Sequence, residues 1–223
     1  MPNVRNRLVL TLAWALCAMF FVVGPMLLVR RNFVHLLNNG HEALFLVISM
    51  LCGGASGALG FNLSAGSTEV RRQRLMVWGS GAFLFLYIAC AVLCPKIHFG
   101  YFDSDILRSG GLAIFTAGCL VRLKAIAQLG RLHSGFVAIQ PDHELVRKGI
   151  YSRIRHPSYL GAMIAMAGIP LIFASWFPLL ALPGVFVLVR WRMNDEEKLL
   201  SEQFGEEFEH YRKDTWRLIP HIY

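Results

Sequence analysis

Hydrophobic positions in this chain fall in long runs, broken by short polar, basic or proline-bearing segments. Residues 8–29 are apolar for about 22 positions, enough helix to cross a hydrocarbon core of about 30 Å. Residues 43–63, 75–94 and 106–123 repeat the pattern. Pro95 stops the third run, and the fourth carries Arg108 near its start and Arg122 and Lys124 near its end, where long side chains snorkel. Around Val23-Gly24-Pro25-Met26 there is no small-x-small cleavage site, so the first run reads as a retained transmembrane helix. Within the second, Gly53-x-x-x-Gly57 offers a close approach to a neighbouring helix. Residues 125–148 lean polar and are broken by Gly130, Gly135 and Pro141, which predicts a loop over the membrane face with a short strand or turn.

The pattern then shortens. Residues 158–176 form a fifth apolar run, Phe177-Pro178 a turn, and 179–191 a sixth run. The sixth has about 13 residues, or about 20 Å of helix, which is less than a full span. It is therefore expected to continue as helix into the polar tail. Leu199, Leu200, Phe204, Phe208 and Tyr211 recur at helical spacing, which predicts an amphipathic helix over 194–213 weakened at Gly205. Leu218-Ile219-Pro220 is expected to anchor the end of the chain at the membrane surface. The expected class is all-α: a polytopic membrane bundle of five to six apolar helices, including a C-terminal helical hairpin, with a pocket on the cytosolic side. It divides into N-terminal membrane helices (1–124) and a C-terminal region (125–223) that holds the chemistry.

Composition agrees with the membrane reading. Residues are 55% hydrophobic and only 16% charged, against about 25% charged in soluble domains. The net charge of +8 sits in short clusters between apolar runs: Arg5/Arg7, Arg71/Arg72/Arg74 and Arg147/Lys148/Arg153/Arg155. That is the pattern of loops facing anionic lipid on the cytoplasmic side, not of a nucleic-acid-binding face. The 95–105 loop carries Asp103 and Asp105 instead. The N-terminus and the polar region after the fourth run should then face the cytoplasm (across the inner or cell membrane if the host is bacterial), although Arg30 and Arg31 fall on the far side. The five cysteines, Cys17, Cys52, Cys90, Cys94 and Cys119, all lie in apolar runs without CxxC or Cys/His metal spacing, so no metal is expected.

Two polar stretches stand out at the junctions. In the first, Arg155-His156-Pro157 leads into the fifth run; proline suits a first helical turn, and neighbouring N–H groups can meet an anion there. His156 and Tyr159 share a helical face, able to grip a polar ligand or cap an adenine. Tyr, Arg and His are equally the residues of a headgroup belt. In the second, Arg192 and Glu196 lie four apart on one face. They make either a salt-bridged helix end or a site in which Arg192 holds an anionic substrate and Glu196 meets a cationic or hydroxyl-bearing cofactor. No P-loop, HExxH, GxSxG or GxGxxG is present, so a nucleoside cofactor would be held by membrane helices and their loops.

Together the stretches His143-x-Leu145-Val146-x-x-Gly149-x-Tyr151-x-x-x-Arg155-His156-Pro157-Ser158-Tyr159-x-Gly161, Arg192-x-x-x-Glu196-Glu197-x-x-Leu200 and Phe204-Gly205-Glu206-Glu207-Phe208-x-x-Tyr211 resemble the isoprenylcysteine carboxyl methyltransferase family over roughly residues 125–220. The resemblance implies S-adenosyl-L-methionine bound from the cytosolic side. It implies that His143, Glu144, Leu145 and Val146 form one wall of that site, that Tyr151 lines it, that His156, Pro157, Ser158 and Tyr159 form a second wall, and that Glu196 closes it. It makes Arg192 the substrate-binding and catalytic residue. The acceptor it implies is a lipophilic or prenylated carboxylate entering from the membrane lipid. Phospholipid N-methylation and thiol S-methylation are alternatives within the class. The ending Arg217-Leu218-Ile219-Pro220-His221-Ile222-Tyr223 also resembles that of NADPH-dependent sterol reductases, and a non-catalytic membrane scaffold is a third alternative.

Overall fold

The structure, a computed structural model, describes residues 4–30, 38–59, 71–133 and 145–223. Four long helices come first: α1 (Val4–Arg30), α2 (Gly40–Ala58), α3 (Arg71–Lys96) and α4 (Asp105–Leu129). Their starts follow local chemistry. Asn39 caps α2 by accepting from the amides of His41 and Glu42, and Ser104 caps α4 by accepting from that of Leu107. Pro95 is tolerated inside the last turn of α3. α4 runs past residue 123, where the apolar pattern stops, and ends at Gly130, whose φ of +52° leaves the helix. The segment expected as a loop from 125 therefore begins as helix; residues 134–144 lie outside the described ones.

Helices over Gly40–Ala58, Trp78–Lys96 and Asp105–Leu129 are long and apolar enough to cross a bilayer, and Met19–Arg30 and Pro157–Ile172 are shorter apolar helices. The chain is a multi-pass membrane protein. Its core joins α1 to α4 and the helix over Pro157–Ile172: Met26, Phe45, Ile88, Phe115 and Ile172 are all buried together. Phe45 meets Phe115 and Phe173 edge to face, with centroids 4.8 and 5.4 Å apart.

α5 (Pro157–Ile172) packs antiparallel to α4 in direct backbone contact. A Cβ on Gly118 would stand 2.3 Å from the Ala165 amide nitrogen, and one on Gly161 2.6 Å from that of Arg122. Gly168 and Gly111 meet in the same way nearer the far end. These four glycines, spaced two turns apart on each helix, make a backbone approach that the Gly-x-x-x-Gly pattern of the second run does not register.

At about 24 Å for 16 residues, α5 falls short of a span, and the loop after α3 comes to meet its end. The Phe102 amide donates to the Ala174 carbonyl (3.0 Å), and the Trp176 amide to that of Gly100 (2.9 Å). A 3₁₀ turn, Phe177–Ala181, leads into α6 (Leu182–Phe204), one continuous helix from the apolar run into the polar tail. The amphipathic 194–213 segment is split at Gly205 (φ +53°) into the end of α6 and α7 (Glu206–Asp214). The tail then returns beside the residues that precede α5: the Arg155 amide donates to the Trp216 carbonyl (2.8 Å) and that of His156 to Arg217 (3.1 Å). This docking buries Leu218, which is 2% exposed, and leaves Ile219 and Ile222 outward. Leu218, expected in a surface anchor, thus serves the interior instead.

Candidate functional site

The start of α5 and the middle of α6 meet where the hairpin leaves the apolar layer. His156 is the N-cap of α5 and Pro157 its first helical residue; no side-chain cap closes this turn. One turn of α5 presents Tyr159 to α6. Its hydroxyl donates to Glu196 Oε2 (3.0 Å) and accepts from Arg192 Nε (2.8 Å). Arg192 and Glu196, four apart on α6, are thus joined through a phenol contributed by another helix. The guanidinium of Arg192 also lies 6.0 Å from the Tyr159 ring centroid.

The neighbouring carboxylate faces elsewhere. Glu197 Oε1 accepts from His156 Nε2 (2.9 Å), Arg217 Nε (3.1 Å) and Arg155 Nε (3.2 Å). Burial would raise its pKa, but the His156 hydrogen bond and the charges of Arg217 and Arg155 outweigh that and hold it at about 2. His156 itself is buried, its Nδ1 3.8 Å from Glu196 Oε2. Arg155 further donates to the carbonyls of Arg212 (2.9 Å) and Thr215. A cavity of about 330 Å³ opens on this side, lined by Asn194, Glu197, Lys198, Ser201, Arg212 and Arg217 among others.

Below the turn, Arg122 of α4 donates to Ser158 Oγ (3.1 Å) and to the Ser158 carbonyl (3.3 Å), fixing the start of α5. His133 follows the end of α4. Burial first, then the Arg122 and Arg192 charges, lowers its pKa to about 3, so its imidazole is neutral at pH 7. Tyr151 is buried in a 3₁₀ turn, Gly149–Ser152, with its carbonyl accepting from Tyr211 Oη (2.8 Å). Burial pushes the Tyr151 phenol well above its ordinary value, and that of Tyr211 up to about 12. Gly149 (φ +62°) lets Gln128 lie against the turn, where it accepts from the Ile150 amide (3.0 Å).

Of the residues singled out in the sequence, His156, Tyr159, Arg192 and Glu196 come together directly. Pro157 and Ser158 are buried in the same turn, with Ser158 directed to Arg122. Tyr151 lies behind that turn, and Leu145 and Val146 are half-buried leading into it. His143 and Glu144 lie outside the described residues. Sequence reasoning missed Glu197, Arg217, Arg122 and His133 as parts of the cluster. Glu197 carried a signal, because a second acid beside Glu196 on a helix points about 100° away and needs its own partners. Arg122 resembled any snorkelling span end.

The arrangement sets one guanidinium and one carboxylate around a phenol at an uncapped helix start. That can hold a zwitterion, and Arg192 beside neutral His133 favours an anion next to it.

The model of the isoprenylcysteine carboxyl methyltransferase family matches residues 111–202, which take in α5 and most of α4 and α6. Protein-S-isoprenylcysteine O-methyltransferase of Schizosaccharomyces pombe is 34% identical over 150 residues, covering 64% of this chain and 61% of that protein. The chain thus spans about three fifths of that relative. A probable protein-S-isoprenylcysteine O-methyltransferase of Oryza sativa subsp. indica is 27% identical over 169 residues, covering 72% and 83%. In fold, the chain is similar to the eukaryotic intramembrane Ras methyltransferase of this name, with a TM-score of 0.52, 18% identity and 96% of each chain covered. The helices of the matched stretch are those that carry Tyr159, Arg192 and Glu196, and over that stretch the chain is similar to the isoprenylcysteine carboxyl methyltransferase family.

Proposed function

We propose that this protein is an integral membrane methyltransferase that uses S-adenosyl-L-methionine to methylate the carboxylate of a lipophilic, prenylcysteine-like acceptor, with the site facing the cytoplasm. In this reading residues 125–223 carry the chemistry against the membrane helices of 1–124. The observation that carries it is the Tyr159 hydroxyl bridging Arg192 and Glu196 (2.8 and 3.0 Å), within the stretch that the family model matches.

The residues suit such a cofactor. The first turn of α5 has no side-chain cap, and Pro157 contributes no N–H, so the remaining amides can take an amino-acid carboxylate. Glu196, half-buried, offers an acceptor to an ammonium or ribose hydroxyl. When bound, S-adenosylmethionine supplies a methyl group activated by its sulfonium. Leu145, Val146, Tyr151 and His156–Tyr159 would wall the cofactor; the family resemblance assigns the same role to His143 and Glu144, which lie outside the described residues. Arg192 orients the acceptor carboxylate for in-line attack, and that alignment supplies much of the rate. A carboxylate needs no general base; with His133 neutral and Arg122 turned to Ser158, Arg192 is the cation that meets it. An amine acceptor would want an acid where Arg192 stands.

The test is titration of the protein in detergent with S-adenosylmethionine, with NADPH in parallel and His156→Ala as control. Saturable binding of the first, lost in the control, followed by transfer of a labelled methyl group to N-acetyl-S-farnesylcysteine, is the expected result. Well-folded protein that binds NADPH and not S-adenosylmethionine would overturn it in favour of a reductase.

A further inference from the structure

Two glutamates stand side by side on α6, and the function proposed above uses only Glu196. The other is the most heavily bonded carboxylate among the described residues. One oxygen of Glu197, whose side chain is 13% exposed, collects Arg155 and His156 from the segment before α5 and Arg217 from the C-terminal tail. These two segments are already in register through the backbone, since the amides of Arg155 and His156 donate to the carbonyls of Trp216 and Arg217. Arg217 reaches on to Asn194 Oδ1 (2.5 Å) and the Tyr223 hydroxyl (2.9 Å). A carboxylate this enclosed is tolerable only with its partners in place, and each partner is then held in one geometry.

The consequence for the site runs through His156. With Nε2 committed to Glu197, the ring presents Nδ1 to Glu196, 3.8 Å away. Its centroid lies 5.7 Å from that of Tyr159. We infer that Glu197 is a positioning residue: it locks His156 and, through Arg217, the C-terminal tail into the single arrangement that presents the Tyr159–Glu196 face to the cofactor, without touching the cofactor itself. This rests on the methyltransferase reading. It makes residues 215–217 a strut of the cofactor site, although they lie far from it in the chain.

The experiment uses the full chain in detergent, with Glu197→Gln, Arg217→Gln and the double variant. It reads S-adenosylhomocysteine affinity by calorimetry and KM for each substrate. Each single variant is expected to weaken cofactor affinity about tenfold, the cost of a lost charge-assisted hydrogen bond, while the acceptor KM moves less than twofold. The double variant should be no weaker than the worse single, because both act through one contact, and Glu197→Asp should recover part of the loss. A merely structural role would lower the fraction of protein able to bind, seen as reduced stoichiometry, and leave the affinity of the folded fraction alone. Wild-type cofactor affinity in folded Glu197→Gln, equal shifts in both KM values, or additive effects would overturn the inference. Should Glu197→Gln fail to fold, Arg217→Gln, which leaves two donors on the carboxylate, carries the same comparison. Wild-type protein that binds no cofactor would instead overturn the methyltransferase reading, and this inference with it.

Discussion

The two ends of the helical bundle each bury a glutamate against arginine, and they do so differently. At the far end, Glu42 in the first turn of α2 is fully buried. It accepts from Arg30 at 2.5 Å through one oxygen, while Oε2 has no hydrogen-bond partner, and neither does the buried Nε of Arg108. The pair ties the end of α1 to the start of α2, and Lys96 adds a tie from α3 to the Val29 carbonyl (2.8 Å). At the near end, Glu197 accepts from three side chains and Glu196 shares a phenol with Arg192. The far cluster is a staple between neighbouring helix ends. The near cluster connects α5, α6 and the tail around groups that no packing requirement explains. A dense polar network that ties three segments together at one end, against a single ion pair between neighbouring helix ends at the other, separates a site from a fastening.

The contrast breaks most sharply at the two arginines. Arg192→Ala should lower kcat for methyl transfer about 10²–10³-fold, the usual cost of removing a preorganised charge from a reacting group. Arg192→Lys should recover only part, since the planar fork is lost. Arg30→Ala should leave the turnover of folded protein within about twofold and lower its melting temperature. Transfer assays on detergent-purified variants at matched folded fraction check both; equal losses would dissolve the distinction.

A second test uses pH. Glu197 is held near pKa 2, below the ordinary carboxylate range. A carboxylate depressed on folding stabilises fully above its unfolded value, near 4.5, and loses that contribution as pH falls toward 2. The full swing is roughly 3 kcal/mol. Thermal unfolding should therefore weaken steeply below pH 4.5 in the wild type and less steeply in Glu197→Gln. Parallel curves would mean that the three donors contribute nothing.

Much of this was legible in the chain. Apolar runs of spanning length predicted α1 to α4, and the short sixth run predicted a hairpin arm that leaves the lipid as helix. His156 and Tyr159 at one spacing, and Arg192 and Glu196 at another, predicted two faces. Periodicity within each helix could not say that the faces meet, because that depends on α4 and α5 touching backbone to backbone at Gly111, Gly118, Gly161 and Gly168. Nor could it place Arg217: a residue in an irregular tail has no period, and its partner lies on a helix that ends twelve residues earlier at Gly205. Leu218 misled for the same reason, since an apolar side chain beside a membrane serves equally as anchor or core.

Next in size, Glu42→Gln should cost about 2 kcal/mol of stability. The cost is less than for a fully enclosed pair because the Arg30 side chain is 26% exposed and can turn to water or headgroups. Methyl transfer by the folded fraction should not change. A loss of turnover beyond about twofold would show that the far end is coupled to the chemistry after all.

The smallest effect is the most informative about how the near end is wired. Tyr159→Phe removes the hydroxyl that bridges Arg192 and Glu196 and keeps the ring against His156. Two hydrogen bonds to charged groups are lost, each worth about 1.5–3 kcal/mol in isolation. Arg192 and Glu196 are four apart on one helix, however, and without the hydroxyl between them they can pair directly, as residues at that spacing do. The net loss in kcat/KM should therefore be about tenfold, well short of the sum. It should fall on both substrates, since the phenol touches both the arginine proposed to bind the acceptor and the glutamate proposed to bind the cofactor. Ser109→Ala at the far end, which removes the 3.0 Å contact to His41, should change neither KM. If Tyr159→Phe behaved like Ser109→Ala, Arg192 and Glu196 would be acting independently, and the phenol would be packing rather than part of the site.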